Sequence, residues 1–265
     1  MPARQNKEIE VFGKLRRKAN ESAISAMPSG PAGARAYAIG DVHGRLDLLR
    51  TLLGEIEADS RARPCEREYM IFVGDLIDRG PDSRGVIDLL LRSKKYLPHP
   101  VFLMGNHEEM MLRVLEKPDE KFRDWLTFGG YECAQSYGVE VGRLAVLDLE
   151  HAAAMVAAAI PQAHRDFIAG FADSFRFGDY LFVHAGIRPG VPLAQQSTRD
   201  LRWIREDFLT STVAHPHMVV HGHTITPEPD EQVNRIGIDT GAYASGILTA
   251  ICIEGTNRKY LHAIA

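Results

Sequence analysis

From Arg35 onward one pattern recurs: a short apolar run, a polar turn bearing glycine, then amphipathic sequence. AYAI leads into GDVHGR, YMIFV into GDLIDRG, VFLM into GNHE, YLFV into HAGIRPG and MVV into HGHT. Short unbroken apolar runs bounded by glycine read as strands buried on both faces. After the first three turns the spacing predicts helices. Leu46, Leu49, Leu53 and Ile56 share one face, as do Met110, Met111, Val114 and Leu115, and Ser83 is placed to cap a helix carrying Val86, Leu89 and Leu90. Strand, turn and helix in alternation predict a layered α/β domain. Ligands of such domains sit outside the carboxyl ends of the strands, where all the polar turns fall.

The pattern lapses between Glu116 and Gly178, where FRDWLTFGGYECAQSYG and LDLEHAAAMVAAAIP read as a helical insertion and Pro161 ends the second stretch. Near the C-terminus RIGI and ILTAICI, joined through DTGAYASG, predict strands of a second, mostly antiparallel sheet. Residues 1–34 are polar and basic, and MPSGPAGAR, which closes the segment and runs into Arg35, breaks any helix. They read as a flexible basic arm, with Ile9, Phe12 and Leu15 making one weak amphipathic turn, before a domain over residues 35–265.

Composition narrows the partners. With 31 Lys+Arg against 35 Asp+Glu the net charge is -4, which supplies no basic field for nucleic acid. No apolar run approaches the ~18 residues of a membrane span, and the basic N-terminus lacks the apolar core of a secretory signal. Cys65, Cys133 and Cys252 are odd in number and form no CxxC pair, which suits reduced thiols in a cytoplasmic protein. Oligomeric state leaves no trace in the sequence.

The turns carry the chemistry. Asp41, His43, Asp75, Asn106, His107, His184, His221 and His223 offer carboxylates, imidazoles and an amide without cysteine, a donor set suited to divalent Mn, Fe or Zn. Aspartates crowded at buried strand ends would otherwise lose hydration and repel one another, at roughly several kcal/mol each. Bound cations remove that cost, and a carboxylate such as Asp75 can bridge two ions. Singly, a GD turn is an ordinary helix cap; five donor-bearing turns in succession point to a metal centre.

Read in order, GDVHGR, GDLIDRG, GNHE, HAG and HGHT, with DWLTFGG, LRWIRE and IDTGA, span Ala36 to Glu254. The chain resembles the calcineurin-like metallophosphoesterases, in the bacterial and phage-lambda-type branch of phosphoprotein (serine/threonine) phosphatases. The resemblance implies a mixed α/β (α+β) sandwich of two mixed β-sheets flanked by helices. It implies two divalent metal ions, manganese foremost with Fe, Zn or Ni as alternatives, and a phosphorylated protein or small phosphoester as substrate. Asp41, His43 and Asp75 would hold the first ion, and Asp75, Asn106, His184 and His223 the second. Two ions about 3.5 to 4 Å apart can share a hydroxide aimed in line at phosphorus. Arg79 and Arg205 would clamp the phosphoryl oxygens, and His107, supported by Asp78, would protonate the departing alkoxide. His221 would stand behind the ligands, His215 and His217 in a loop, and Arg45 and Arg202 in surface ion pairs. Symmetrical diadenosine tetraphosphate hydrolases typically carry ARG and NHD where this chain has DRG and NHE, so Asp78 and Glu108 favour a phosphomonoesterase. A non-catalytic phosphate-binding scaffold would be expected to have lost the acid or a clamp, whereas Asp78, Arg79 and His107 are all present.

Overall fold

The computed structural model describes residues 8–9 and 27–265. Its strands are β1 (Glu8–Ile9), β2 (Ala34–Ile39), β3 (Arg67–Phe72), β4 (Pro100–Phe102), β5 (Ser174–Phe177), β6 (Tyr180–Val183), β7 (Met218–His221), β8 (Asp230–Glu231), β9 (Arg235–Gly237), β10 (Ile247–Glu254) and β11 (Asn257–Ile264). They form a five-stranded sheet in the order β11-β10-β2-β3-β4 and a six-stranded sheet in the order β1-β5-β6-β7-β9-β8.

Side-chain alternation shows how each strand serves two layers. On β2, Ala36 and Ala38 face the layer between the sheets while Tyr37 and Ile39 face the helices. On β3, Tyr69 and Ile71 point inward with Phe175, Phe182 and Val220 of the other sheet, and Met70 and Phe72 point outward. Both faces are apolar because both are covered, which is why these runs lack polar alternation. The helices α1 (Leu46–Ala62), α2 (Ser83–Ser93) and α3 (Asn106–Glu116) cover the outer face of the five-stranded sheet. Then come α4 (Lys121–Trp125), α5 (Tyr131–Ser136), α6 (Val141–Leu144), α7 (Leu149–Ala159) and α8 (Gln162–Ala169), which extend that layer; α9 (Thr198–Trp203) and α10 (Glu206–Leu209) pack on the six-stranded sheet, and α11 (Ala242–Ser245) precedes β10.

Two expectations need correction. RIGI and ILTAICI do not share a sheet: β9 runs parallel to β7 in the six-stranded sheet, whereas β10 pairs antiparallel with β2 in the other. The six-stranded sheet is mixed, with β6, β7 and β9 mutually parallel, because each feeds a turn toward the same edge. Ser83 is the first residue of α2 rather than its cap. Asp82 caps the helix by accepting from Gly85 N at 2.7 Å, and Ser83 Oγ instead accepts from Asp78 N at 2.9 Å.

Most of the expected N-terminal arm, Phe12 and Leu15 included, lies outside the described residues. Near its end the backbone is tied to the domain, Gly30 N donating to Gly255 O at 2.8 Å and Asp179 N to Ser29 O at 2.9 Å. Among the described residues no helix is long and apolar enough to cross a membrane.

Candidate active site

Parallel β2 and β3 of one sheet, and parallel β6, β7 and β9 of the other, deliver their carboxyl ends to one crevice. Asp75, just past β3, is its hub. Its Oδ2 lies 3.6 Å from His43 Nε2 and 3.9 Å from His107 Nε2, and its Oδ1 lies 3.4 Å from His184 Nε2. Two groups of potential ligand atoms result, His43 with Asp75 and His107, and Asp75 with His184 and His223, each within 4.8 Å. Asp41 joins through Oδ2, which accepts from His223 N at 3.0 Å, and Asn106 Oδ1 lies 2.9 Å from His184 Nε2.

The backbone sets the tautomers. Nδ1 of His43 lies 2.8 Å from Ile77 O, and Nδ1 of His184 lies 2.9 Å from Val73 O. Each Nδ1 proton is thus claimed by a carbonyl, leaving the Nε2 lone pair to the crevice. Asp41 Oδ1, His43 Nε2 and His223 Nε2 are buried with no hydrogen-bond partner among the described residues. Converging orphan lone pairs of oxygen and nitrogen fit divalent cations and are otherwise costly.

Charge balance agrees. Burial, then Asp239 and Asp75, raises the Asp41 pKa well above the usual carboxylate range. Burial, then His107, pushes His43 down to about 3. Burial also opposes ionisation of Asp75, but His184 and His107 outweigh it and hold that carboxyl well below its ordinary value. Asp41 thus resists ionising and His43 resists protonation, and a bound cation would favour the carboxylate of the one and the neutral imidazole of the other, the forms that ligate.

His43, Asp75, Asp78, Arg79 and His223 all have positive φ, between 43° and 71°. Such backbone costs roughly 1–3 kcal/mol per residue and persists only where surroundings enforce it. Glu108 is one enforcer. Its Oε1 accepts from Leu76 N at 2.7 Å and Ile77 N at 3.3 Å, and its Oε2 from Asp75 N at 2.9 Å and Gly105 N at 3.1 Å. Burial, then Asp75, raises Glu108 to about 7. Gly222 is another requirement, since a Cβ there would lie 1.9 Å from Asp41 Oδ1.

Beside the cluster stands a dyad. His107 Nδ1 lies 2.7 Å from Asp78 Oδ2, which also accepts from Trp125 Nε1 at 2.9 Å. Burial opposes protonation of His107, but the carboxylates of Asp75 and Asp78 raise its pKa above the ordinary value. Arg79 N donates to Gly129 O at 3.1 Å, and its guanidinium stands over the Tyr243 ring, 4.8 Å from the centre. Arg205 is exposed, with Nη1 3.5 Å from Thr224 Oγ1, and borders a cleft of about 980 Å³ shared with Glu109, Arg188 and Trp203.

Other expected residues lie apart. Arg45 pairs with Asp47, and Arg202 pairs with Asp173 and Glu109. His221 is buried, with Nδ1 2.9 Å from Gly222 O and its ring edge-on to Phe208. His215 sits in a loop but is buried, stacked on the same Phe208. Trp125, Tyr243 and Asp239 were not singled out by sequence. Trp125 and Asp239 lie inside DWLTFGG and IDTGA, whereas nothing local marks Tyr243.

The sequence model for calcineurin-like phosphoesterases matches residues 34–243. Serine/threonine-protein phosphatase 1 of Salmonella typhimurium is 29% identical over 223 residues, covering 82% of this chain and 91% of that one. An asymmetrical bis(5'-nucleosyl)-tetraphosphatase of Anoxybacillus flavithermus is 28% identical over 238 residues, covering 80% of this chain and 88% of its own. A crystal structure provisionally described as a diadenosine tetraphosphatase shares the fold at a TM-score of 0.63, with 21% identity over 87% of this chain and 94% of that one. With the family pattern running from the first strand of the sandwich past the last donor-bearing turn, the chain belongs to the calcineurin-like phosphoesterases, hydrolases that act on phosphoesters.

Proposed function

We propose that the protein is a dinuclear-metal phosphomonoesterase, acting as a serine/threonine phosphatase on phosphoproteins in the cytoplasm, whose reducing conditions suit its three unbonded cysteines. The observation that carries this reading is the bond of His107 Nδ1 to Asp78 Oδ2 at 2.7 Å. A monoester releases an alkoxide that needs a proton, and an imidazole backed by a carboxylate can hold that proton on Nε2 and deliver it.

Asp41, His43 and Asp75 would hold one divalent ion, and Asp75, Asn106, His184 and His223 a second. Manganese is our choice. Such ions, when bound, supply Lewis acidity and lower the pKa of water toward neutrality. Arg79 and Arg205 would grip the phosphoryl oxygens, because a planar guanidinium matches two at once. As the oxygen of water bonds to phosphorus and the bond from phosphorus to the leaving oxygen breaks, His107 would give its Nε2 proton to that oxygen while Asp78 steadies the ring.

The tetraphosphatase relative favours a second reading, hydrolysis of dinucleoside polyphosphates. There the leaving group is a nucleotide phosphate, which departs without a proton, so the acid would be dispensable. The manganese-loaded protein should release phosphate from an aryl phosphate and from phosphoserine and phosphothreonine peptides faster than from a phosphotyrosine peptide, and it should favour all of these over diadenosine tetraphosphate. Preference for the dinucleotide would refute the phosphatase reading. Equal products would then mark symmetrical cleavage, and unequal ones asymmetrical.

A further inference from the structure

We propose that Tyr243 is a positioning residue that holds the Arg79 guanidinium in place for phosphate by stacking beneath it, an inference that rests on the phosphoesterase reading of the site. Arg79 leaves a left-handed backbone position at φ 66°, pinned by its N–H to Gly129 O at 3.1 Å. Its guanidinium makes no hydrogen bond or ion pair among the described residues; what it meets is the Tyr243 ring, 4.8 Å from Cζ to the ring centre. Arg45 and Arg202 differ, since acidic partners occupy their guanidinium groups.

The difference has a physical purpose. A carboxylate would fix the guanidinium but neutralise it and take up its N–H groups. An aromatic face orients the cation through the ring quadrupole and leaves its donors free for phosphoryl oxygens. Fixing a long side chain beforehand also spares rotamer entropy when phosphate binds.

The ring is itself held. Tyr243 lies on α11 between Gly241 and Gly246, both left-handed at φ 69° and 75°. Gly241 N donates to Asp239 Oδ1 at 2.8 Å, and Ala244 N and Ser245 N both donate to Gly241 O at 2.8 Å. The ring stands edge-on to His43, centres 5.4 Å apart at 85°, so one side chain spans from a candidate metal ligand to the phosphate clamp.

The test is orthophosphate binding by titration calorimetry to the manganese-loaded protein, with metal content measured on every sample and kcat and KM measured on an aryl phosphate. Tyr243→Leu should weaken phosphate about three- to tenfold and raise KM comparably, with metal content unchanged. Tyr243→Phe keeps the aromatic face and should restore most of that loss. In an Arg79→Ala background, Tyr243→Leu should add nothing. Unchanged phosphate affinity in Tyr243→Leu, or an equal loss with and without Arg79, would overturn the proposal. If the wild type hydrolyses no phosphoester, the functional reading falls, while the phosphate titrations still decide the role of Tyr243.

Discussion

His107 belongs spatially to both halves of the site: its Nε2 lies 3.9 Å from Asp75 Oδ2, within a possible ligand group, and its Nδ1 is taken by Asp78. The free nitrogen can bind a cation or carry a proton, and one substitution separates the two. His107→Asn should retain two ions per chain yet lose about 10²- to 10⁴-fold in kcat, with KM little changed. Elemental analysis beside steady-state kinetics checks this, and loss of an ion would make His107 a ligand. The residue types were legible at this scale, since GNHE and GDLIDRG placed Asn106, His107, Asp75 and Asp78 on turns. The use of Glu108 was not legible. Only the folded loop shows its carboxylate accepting from four backbone N–H groups instead of facing substrate.

The segment after α3 shows how an element far from the metal ligands shapes the site. Between α4 and α5 the helix opens into a wide turn over Leu126–Gly130, where Gly129 has φ 117°. That break turns Gly129 O toward Arg79 N, while Trp125, at the end of α4, reaches Asp78 with its indole N–H. A Cβ on Gly129 would lie 2.5 Å from Arg79 N, in backbone that side chains rarely adopt. Gly129→Ala should therefore cost about 1–3 kcal/mol of stability and displace the clamp, raising KM for an aryl phosphate. Thermal unfolding with parallel kinetics would show it, and an unchanged KM would mean that Arg79 does not depend on this turn. Helical periodicity across FRDWLTFGGYECAQSYG was readable, but the destination of Gly129 O was not, because a glycine pair in a helix does not say which loop it will meet.

For the molecule as a whole, the sandwich and its helical layers bury histidines that must stay neutral. His164 is 4% exposed, with Nδ1 2.9 Å from Tyr137 Oη and Nε2 3.3 Å from Asp88 Oδ1. Burial lowers its pKa below the ordinary value, with Asp88 opposing, and burial lowers His215 likewise, aided by Arg235. Below about pH 6.5 the unfolded chain binds protons that these folded imidazoles refuse. Their contribution is complete above that pH and is lost as pH falls. Because His164 refuses a proton that the unfolded chain accepts, lowering the pH from 7.5 to 5.5 should cost the wild type more unfolding free energy than it costs His164→Gln; an identical pH slope would remove His164 as a contributor. What the sequence determined by itself was the succession of buried strands and donor-bearing turns, because apolar periodicity, glycine punctuation and side-chain chemistry are local. Tertiary structure alone decided that RIGI pairs with β7 and ILTAICI with β2, that Asp41 meets His223, and that Tyr243 lies under Arg79. Strand register and packing between layers arise from contacts among residues that can lie more than two hundred positions apart, as Arg35 and Glu254 do, and no short stretch of chain encodes them.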